Sequence, residues 1–248
     1  MSNASNTTII EQLRDDNEYY GGVGKSYLSN SDINTLLNNP KEFGKQREDN
    51  REFMLGRYFH QCILEPNKSI NFPVIDVSTR TTKAYKDFIE EHGIEIALLQ
   101  KEMDEVNEWI NTIRENETFA RYIYNPSNEY EVPMVGEIEG AMWKGKADIV
   151  SPEFVYDLKT TSSIQDFKWN ARKYGYDSQA FIYQQLFGKP MIFLVIDKVS
   201  KMLGMYSVSD DALERGREKV QRAIRVYNKF YGDTPTSDIN QFYFYDEI

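Results

Sequence analysis

Gly145-Lys-Ala-Asp-Ile-Val-Ser-Pro-Glu-Phe-Val-Tyr-Asp-Leu-Lys-Thr160 is the stretch that decides how this chain folds. Two β-rich runs, Ala141 to Val150 and Phe154 to Thr160, flank the turn-forming Ser151-Pro152-Glu153. A tight turn on Pro152-Glu153 sets Asp148 directly opposite Asp157, with side chains on one face and Cβ atoms about 4.5–5.5 Å apart. Two carboxylates that close repel one another. A divalent cation between them reverses the sign, and hard cations such as Mg²⁺ take one or two carboxylates together with waters and substrate phosphate. Lys159 lies two residues past Asp157, so the strand period puts it on the same face. There its ammonium can orient a water or neutralise charge developing at phosphorus. The competing reading is a solvated hairpin with two exposed acids and a lysine, and a longer loop would shift the register and undo the pairing. Against solvation stands the setting of Asp157 in Phe154-Val-Tyr-Asp-Leu158, an apolar run.

Around this hairpin the pattern is α on the N-terminal side and mixed on the C-terminal side. Residues 1–26, rich in Ser, Asn, Thr and Gly without apolar periodicity, read as a flexible N-terminal arm. Ser31 caps a short helix stopped by Asn38-Asn39-Pro40. Helices are expected from about Glu52 to Leu64, Thr79 to Glu91 and Ile96 to Glu115. His92, before Gly93, reads as a cap or surface residue. Val132 to Glu139 is a further strand, and Ser178 to Phe187 a helix released by Gly188 and Pro190. Met191-Ile-Phe-Leu-Val-Ile196 has the continuous apolarity of a central strand, able to pair with Lys201 to Val208 as a hairpin. Ser209 caps a last long helix with Asp210 and Asp211 at its positive end. No internal repeat or linker splits residues 27–248, which are expected to form one α/β domain with a helical N-terminal half.

Asp148 followed by Asp157-Leu158-Lys159 resembles the PD-(D/E)xK nuclease signature, with Ala147 where the name has proline. His60, in Gly56-Arg-Tyr-Phe-His60 and followed by Leu64-Glu65-Pro66, is similar to the upstream histidine helix of the RecB-like and exonuclease VIII-like branch. Gln179-Ala-Phe-Ile-Tyr183 matches its Gln-x-x-x-Tyr helix, and Tyr27-Leu-Ser29 with Asn39-Pro40 resembles its first helix. The resemblance runs in order from Tyr27 to Tyr183. It implies a restriction-endonuclease-like core, a central mixed β-sheet flanked by helices. It further implies that His60, Asp148, Asp157 and the Leu158 backbone carbonyl bind metal and that Lys159 is catalytic. Gln179 and Tyr183, one helical turn apart, would face the strand pair and its DNA, and Glu131 resembles an accessory acid one strand earlier. Without those motif partners, His60 between Phe59 and Cys62 would read as an ordinary core histidine. Gln179 and Tyr183 alone would be ordinary helix residues.

The chain has 248 residues, with 29 Lys and Arg against 39 Asp and Glu, a net charge of −10. That balance disfavours coating nucleic acid through bulk charge. The span from Lys144 to Lys201 is the exception, with nine Lys and Arg against six Asp and Glu. Lys168, Arg172 and Lys173 within it are candidates for phosphate contact, or a solvated helix face. The single cysteine, Cys62, excludes a disulfide framework, a four-cysteine zinc site and the iron–sulfur cluster of the Cas4 branch. No apolar run approaches about 18 residues and no signal-peptide core opens the chain, so a cytoplasmic protein is expected.

Gly21-Gly-Val-Gly-Lys-Ser26 mimics a phosphate loop, but Tyr19 and Tyr20 stand where that motif needs glycine or lysine, and no apolar strand precedes it. Three function classes remain: a metal-dependent DNA nuclease, a nuclease-like DNA-binding module without catalysis, and a nucleotide-binding protein using the glycine segment. The intact Asp, Asp and Lys favour the first. The expected activity is a Mg²⁺-dependent (or Mn²⁺-dependent) exonuclease on double-stranded DNA ends, with an endonuclease or DNA-repair nuclease as the alternative. The resemblance adds 5′ to 3′ resection in phage-type recombination, a single-strand annealing protein as partner, and a ring-shaped homo-oligomer.

Overall fold

The computed structural model describes residues 3–45 and 48–243. In chain order the helices are α1 (Asn3–Gln12), α2 (Asp16–Tyr20), α3 (Asn30–Asn38), α4 (Arg51–Leu64), α5 (Pro66–Ser69) and α6 (Lys83–His92). They continue with α7 (Gln100–Glu115), α8 (Glu117–Ile123), α9 (Phe167–Lys173), α10 (Tyr176–Phe187) and α11 (Asp210–Phe230). The strands are β1 (Val74–Ile75), β2 (Leu98–Leu99), β3 (Glu129–Ile138), β4 (Ala141–Val150), β5 (Val155–Thr161), β6 (Met191–Asp197) and β7 (Leu203–Ser207).

β3 to β7 form one sheet in sequence order. Its pairs are antiparallel except β5 with β6, which run parallel and are joined through α9 and α10. The period of two decides what each face meets. On β6, Leu194 and Ile196 enter a core with α4, α7 and α8, contributed by Phe59, Ile63, Val106, Trp109 and Ile123. Met191, Phe193 and Val195 point the other way, into a core with Ala180 of α10 and Phe167 of α9. α3 and α11 pack on that second side through Ile33, Leu36, Val220 and Ala223 around the fully buried Trp143 of β4. β6 is therefore apolar on both faces because helices cover both, as a central strand requires. α10 comes close enough to β4 that a Cβ at Gly145 would press on Leu186 and Tyr183.

Most helix ends obey their caps. Asn50 accepts from the Phe53 N–H, Thr82 from Tyr85 and Ser209 from Ala212. Two helix starts lie later than the sequence pattern suggests. The helix expected from Thr79 starts only after the Thr82 cap. The one expected from Ile96 starts at Gln100, because Leu98 and Leu99 are used in a parallel bridge to Val74 and Ile75.

Residues read as a loose arm behave differently. α1 and α2 bring Leu13 and Tyr19 against Tyr27 and Val135, with Leu13 0% exposed. The glycine-rich segment follows α2 as a 3-10 turn, Val23–Ser26, with no strand feeding it. Gly24 is needed for close approach, since a Cβ there would collide with the Tyr19 carbonyl. Ile9, Ile10 and Val23 pack against the same cluster.

Candidate active site

The β4–β5 hairpin pairs Ile149 with Tyr156 and Val150 with Val155. That is the register in which Asp148 and Asp157 come next, facing each other, but the ladder stops before them. Its end leaves the N–H and C=O of Leu158 without backbone partners on β4, and buried backbone groups must be satisfied. Side chains do so. The Leu158 N–H donates to Asp148 Oδ2 at 2.7 Å, and the Leu158 carbonyl lies 3.0 Å from His60 Nε2. His60, presented by α4, also reaches Asp148 Oδ2 at 3.1 Å, while its Nδ1 is 2.8 Å from the Gly56 carbonyl. Both ring nitrogens thus face acceptors. Burial opposes a positive charge on the ring, but the Asp148 carboxylate outweighs it and lifts His60 to about 9. Burial also works against ionised Asp148, and His60 with Lys159 and the Leu158 N–H hold its pKa low.

Asp157 and Lys159 occupy the alternate face of β5, toward α10. Gln179 Nε2 donates to Asp157 Oδ1 at 2.5 Å. Lys159 Nζ lies 2.6 Å from Asp157 Oδ2 and 4.9 Å from the centre of the Tyr176 ring. Lys159 is the partner of the buried Asp157 Oδ2, as Gln179 is of Oδ1. Burial pushes Asp157 up to about 6, with Lys159 opposing and the negative charge of Asp148 adding to it. For Lys159, burial favours the neutral amine, but Asp157 holds the pKa above the ordinary lysine value.

Glu131 sits on β3 between Tyr130 and Val132, whose partners Ile149 and Ala147 flank Asp148. It is itself unpaired in the ladder and has φ of 49°, a left-handed conformation that costs a glutamate energy. Burial first and the Asp148 charge second raise its carboxyl to about 8. The acids of three adjacent strands (Glu131, Asp148 and Asp157) thus form a row across the sheet. Tyr183, the other α10 candidate, donates to the Lys146 carbonyl at 2.9 Å and braces β4 instead of reaching the carboxylates.

Three residues not singled out from sequence also belong here. Tyr176 carries Lys159 on its ring. Lys146, two residues before Asp148, is 2.7 Å from Asp16 of α2, and its ammonium lies 4.7 Å from the Tyr19 ring centre. The alternation of β4 was the available signal for Lys146. Nothing in the polar segment before Tyr27 marked Asp16.

Among the described residues no three His, Cys, Asp or Glu side chains are already gathered about one point. The donor set nevertheless suits a divalent cation. His60 Nε2, Asp148 Oδ2 and the Leu158 carbonyl are clustered, and Asp157 on the neighbouring strand adds a second carboxylate, the donor type a hard cation takes.

The profile of a family described as a PDDEXK-like domain of unknown function (DUF3799) matches residues 30–235. No curated protein matches the chain. The crystal structure of a protein from Eubacterium rectale, named by inference an exonuclease, is 23% identical, with 86% of each chain covered and a TM-score of 0.64. At that identity the likeness is one of fold, and it places the five-stranded mixed sheet with flanking helices among restriction-endonuclease-like α/β folds. A phage-related exonuclease from Haemophilus somnus 129PT is 14% identical, with 62% of this chain and 89% of its own covered. Its TM-score of 0.33 is too low to bear on the fold.

Proposed function

The chain belongs to the PDDEXK-like family DUF3799, and from that premise we propose that it is a divalent-metal-dependent DNA exonuclease acting on double-stranded ends. One observation carries the reading. Lys159 is held as a cation 2.6 Å from Asp157, beside a strand opening where Asp148, His60 and the Leu158 carbonyl converge.

Each residue has a task that follows from its surroundings. Asp148, Asp157, the Leu158 carbonyl and His60 would hold Mg²⁺ or Mn²⁺. When bound, such an ion polarises a phosphate oxygen and lowers the pKa of a water. Gln179 fixes the Asp157 carboxylate by binding one oxygen and leaving the other to face Lys159. Lys159 presents fixed positive charge toward the phosphate, where negative charge grows during phosphodiester hydrolysis, without reorganising as it does so. Glu131 is the accessory acid. Tyr183 holds β4, and with it Asp148, in place.

Resection from 5′ to 3′, a role in phage-type recombination, a single-strand annealing partner and a ring of subunits extend the proposal on the strength of the resemblance. Linear duplex DNA labelled separately at its 5′ and 3′ ends, run beside a closed circle, tests it. Progressive loss of the 5′ label with the circle intact is the expected result. Cutting of the circle would move the protein to the endonuclease reading, and binding without any cutting to the silent module.

A further inference from the structure

The outward face of α9 gathers three cations and a tryptophan on this acidic chain. Lys168, Trp169, Arg172 and Lys173 are all exposed, and their spacing of i, i+1, i+4 and i+5 puts them on one side of the helix. Tyr174 extends the face beyond the helix end. Trp169 is 67% exposed and Tyr174 58%. Lys168 Nζ lies 5.1 Å from the Trp169 ring centre and Lys173 Nζ 5.8 Å from that of Tyr174. Among the described residues no carboxylate pairs with Lys168, Arg172 or Lys173.

This face is rigid and joined to the site. Phe167, 2% exposed, anchors α9 against Tyr206 at 4.6 Å and Tyr176 at 5.7 Å between ring centres. Lys219 of α11 donates to the Arg172 carbonyl at 2.9 Å. Tyr174 is 6.1 Å from Tyr176, the ring beneath Lys159. The exposed aromatics therefore begin two rings away from the reactive cation.

We propose that the α9 face, with Trp169 and Tyr174 as stacking surfaces and Lys168, Arg172 and Lys173 as phosphate contacts, is a binding site for an unpaired DNA strand. Exposed rings interleaved with cations suit single strands, whose bases offer free faces to stack on and whose phosphates need neutralising. A duplex covers the faces of its bases with their neighbours, so it could use the cations but not the rings. The inference rests on the nuclease reading above and adds what happens to a strand once its partner is being removed: it is held open beside the site.

The chain's tryptophans make the test direct. Trp109 and Trp143 are 1% and 0% exposed, so quenching of intrinsic fluorescence by a soluble oligonucleotide reports on Trp169. With chelator present to prevent cleavage, oligothymidylate should quench wild-type emission and leave Trp169→Ala unquenched. By anisotropy of labelled oligothymidylate, Trp169→Ala should bind roughly tenfold more weakly, in keeping with the loss of one stacked base. Trp169→Phe should recover most of that loss, and affinity for blunt duplex should not change. Equal oligothymidylate binding by wild type and Trp169→Ala overturns the inference. So does a sedimentation result in which Trp169→Ala merely dissociates an oligomer of the chain. End-labelled duplex digestion separates the two claims. Cleavage without Trp169 quenching removes only the stacking site, and quenching without cleavage removes only the nuclease reading.

Discussion

Leu158 contributes no polar side-chain atom, yet its backbone organises the site. Because the β4–β5 ladder ends at Ile149 and Tyr156, its N–H and C=O are left to Asp148 and His60. The β4–β5 register was legible from the Pro152-Glu153 turn, since a hairpin register is set by its turn. The early end of the ladder was not, because it depends on which side chain satisfies which backbone group. His60 was visible only through its motif, as nothing in the α4 pattern says which strand that helix overlies. The left-handed backbone at Glu131 had no signal at all, glutamate being an unusual residue for it. Gln179 offers a test at this scale. Its amide is the hydrogen-bond partner of Asp157 Oδ1, so Gln179→Ala should free that carboxylate to reorient. Loss of such a supporting hydrogen bond typically costs about 10- to 100-fold in metal affinity. Calorimetric titration with Mn²⁺ should show a loss of that order with the melting temperature little changed.

Among the elements, α7 is held by a residue whose importance composition hides. Glu102 is 3% exposed, accepts from the Leu99 N–H at the start of the helix, and pairs with Arg51 at 2.7 Å and Arg80 at 2.6 Å. Burial alone would raise its pKa, but Arg80, the Leu99 N–H and Arg51 bring it down to about 2 from the ordinary 4.5. A depressed acid stabilises the fold above its unfolded pKa, and that stability is lost as pH falls toward the folded one. Glu102→Gln should therefore cost about 2 kcal/mol at pH 6, a figure discounted because both arginines are partly in water. In melting curves the gap from wild type should close as pH drops from about 4.5 toward 2. A gap constant over that range would mean the contacts act through packing alone.

α1 and α2 show the limit of pattern reading on the same scale. Their apolar residues are few, and their docking centres on Leu13 and Tyr19 with Ile9 and Ile10 packed beside them. Leu13→Ala should lower stability by about 3 kcal/mol, as for other fully buried leucines. A change under about 0.5 kcal/mol by urea denaturation would return this segment to the loose arm its composition suggests. By contrast β6 and α11 were plain from sequence, one as an unbroken apolar run and the other as a capped amphipathic helix. Both owe their form to burial that local sequence records.

For the molecule as a whole, charge and chemistry are segregated. A chain of net charge −10 carries its lysine-rich span over β4, β5 and the α9–α10 crossover, where the site lies. Among the described residues no helix is long and apolar enough to cross a membrane. The sheet brings residues from α4, β3, β4, β5 and α10 to one opening, an assembly that no local stretch could announce and that the ordered motifs announced together. The most direct test of the central claim is turnover of linear duplex DNA with Mg²⁺, comparing wild type, Lys159→Ala and Asp157→Asn at equal melting temperature, with a chelator control. Removal of a preorganised charge should lower the rate by roughly 10²–10³-fold in each variant, and chelation should abolish cleavage. Cleavage that survives both the chelator and Asp157→Asn would contradict the account.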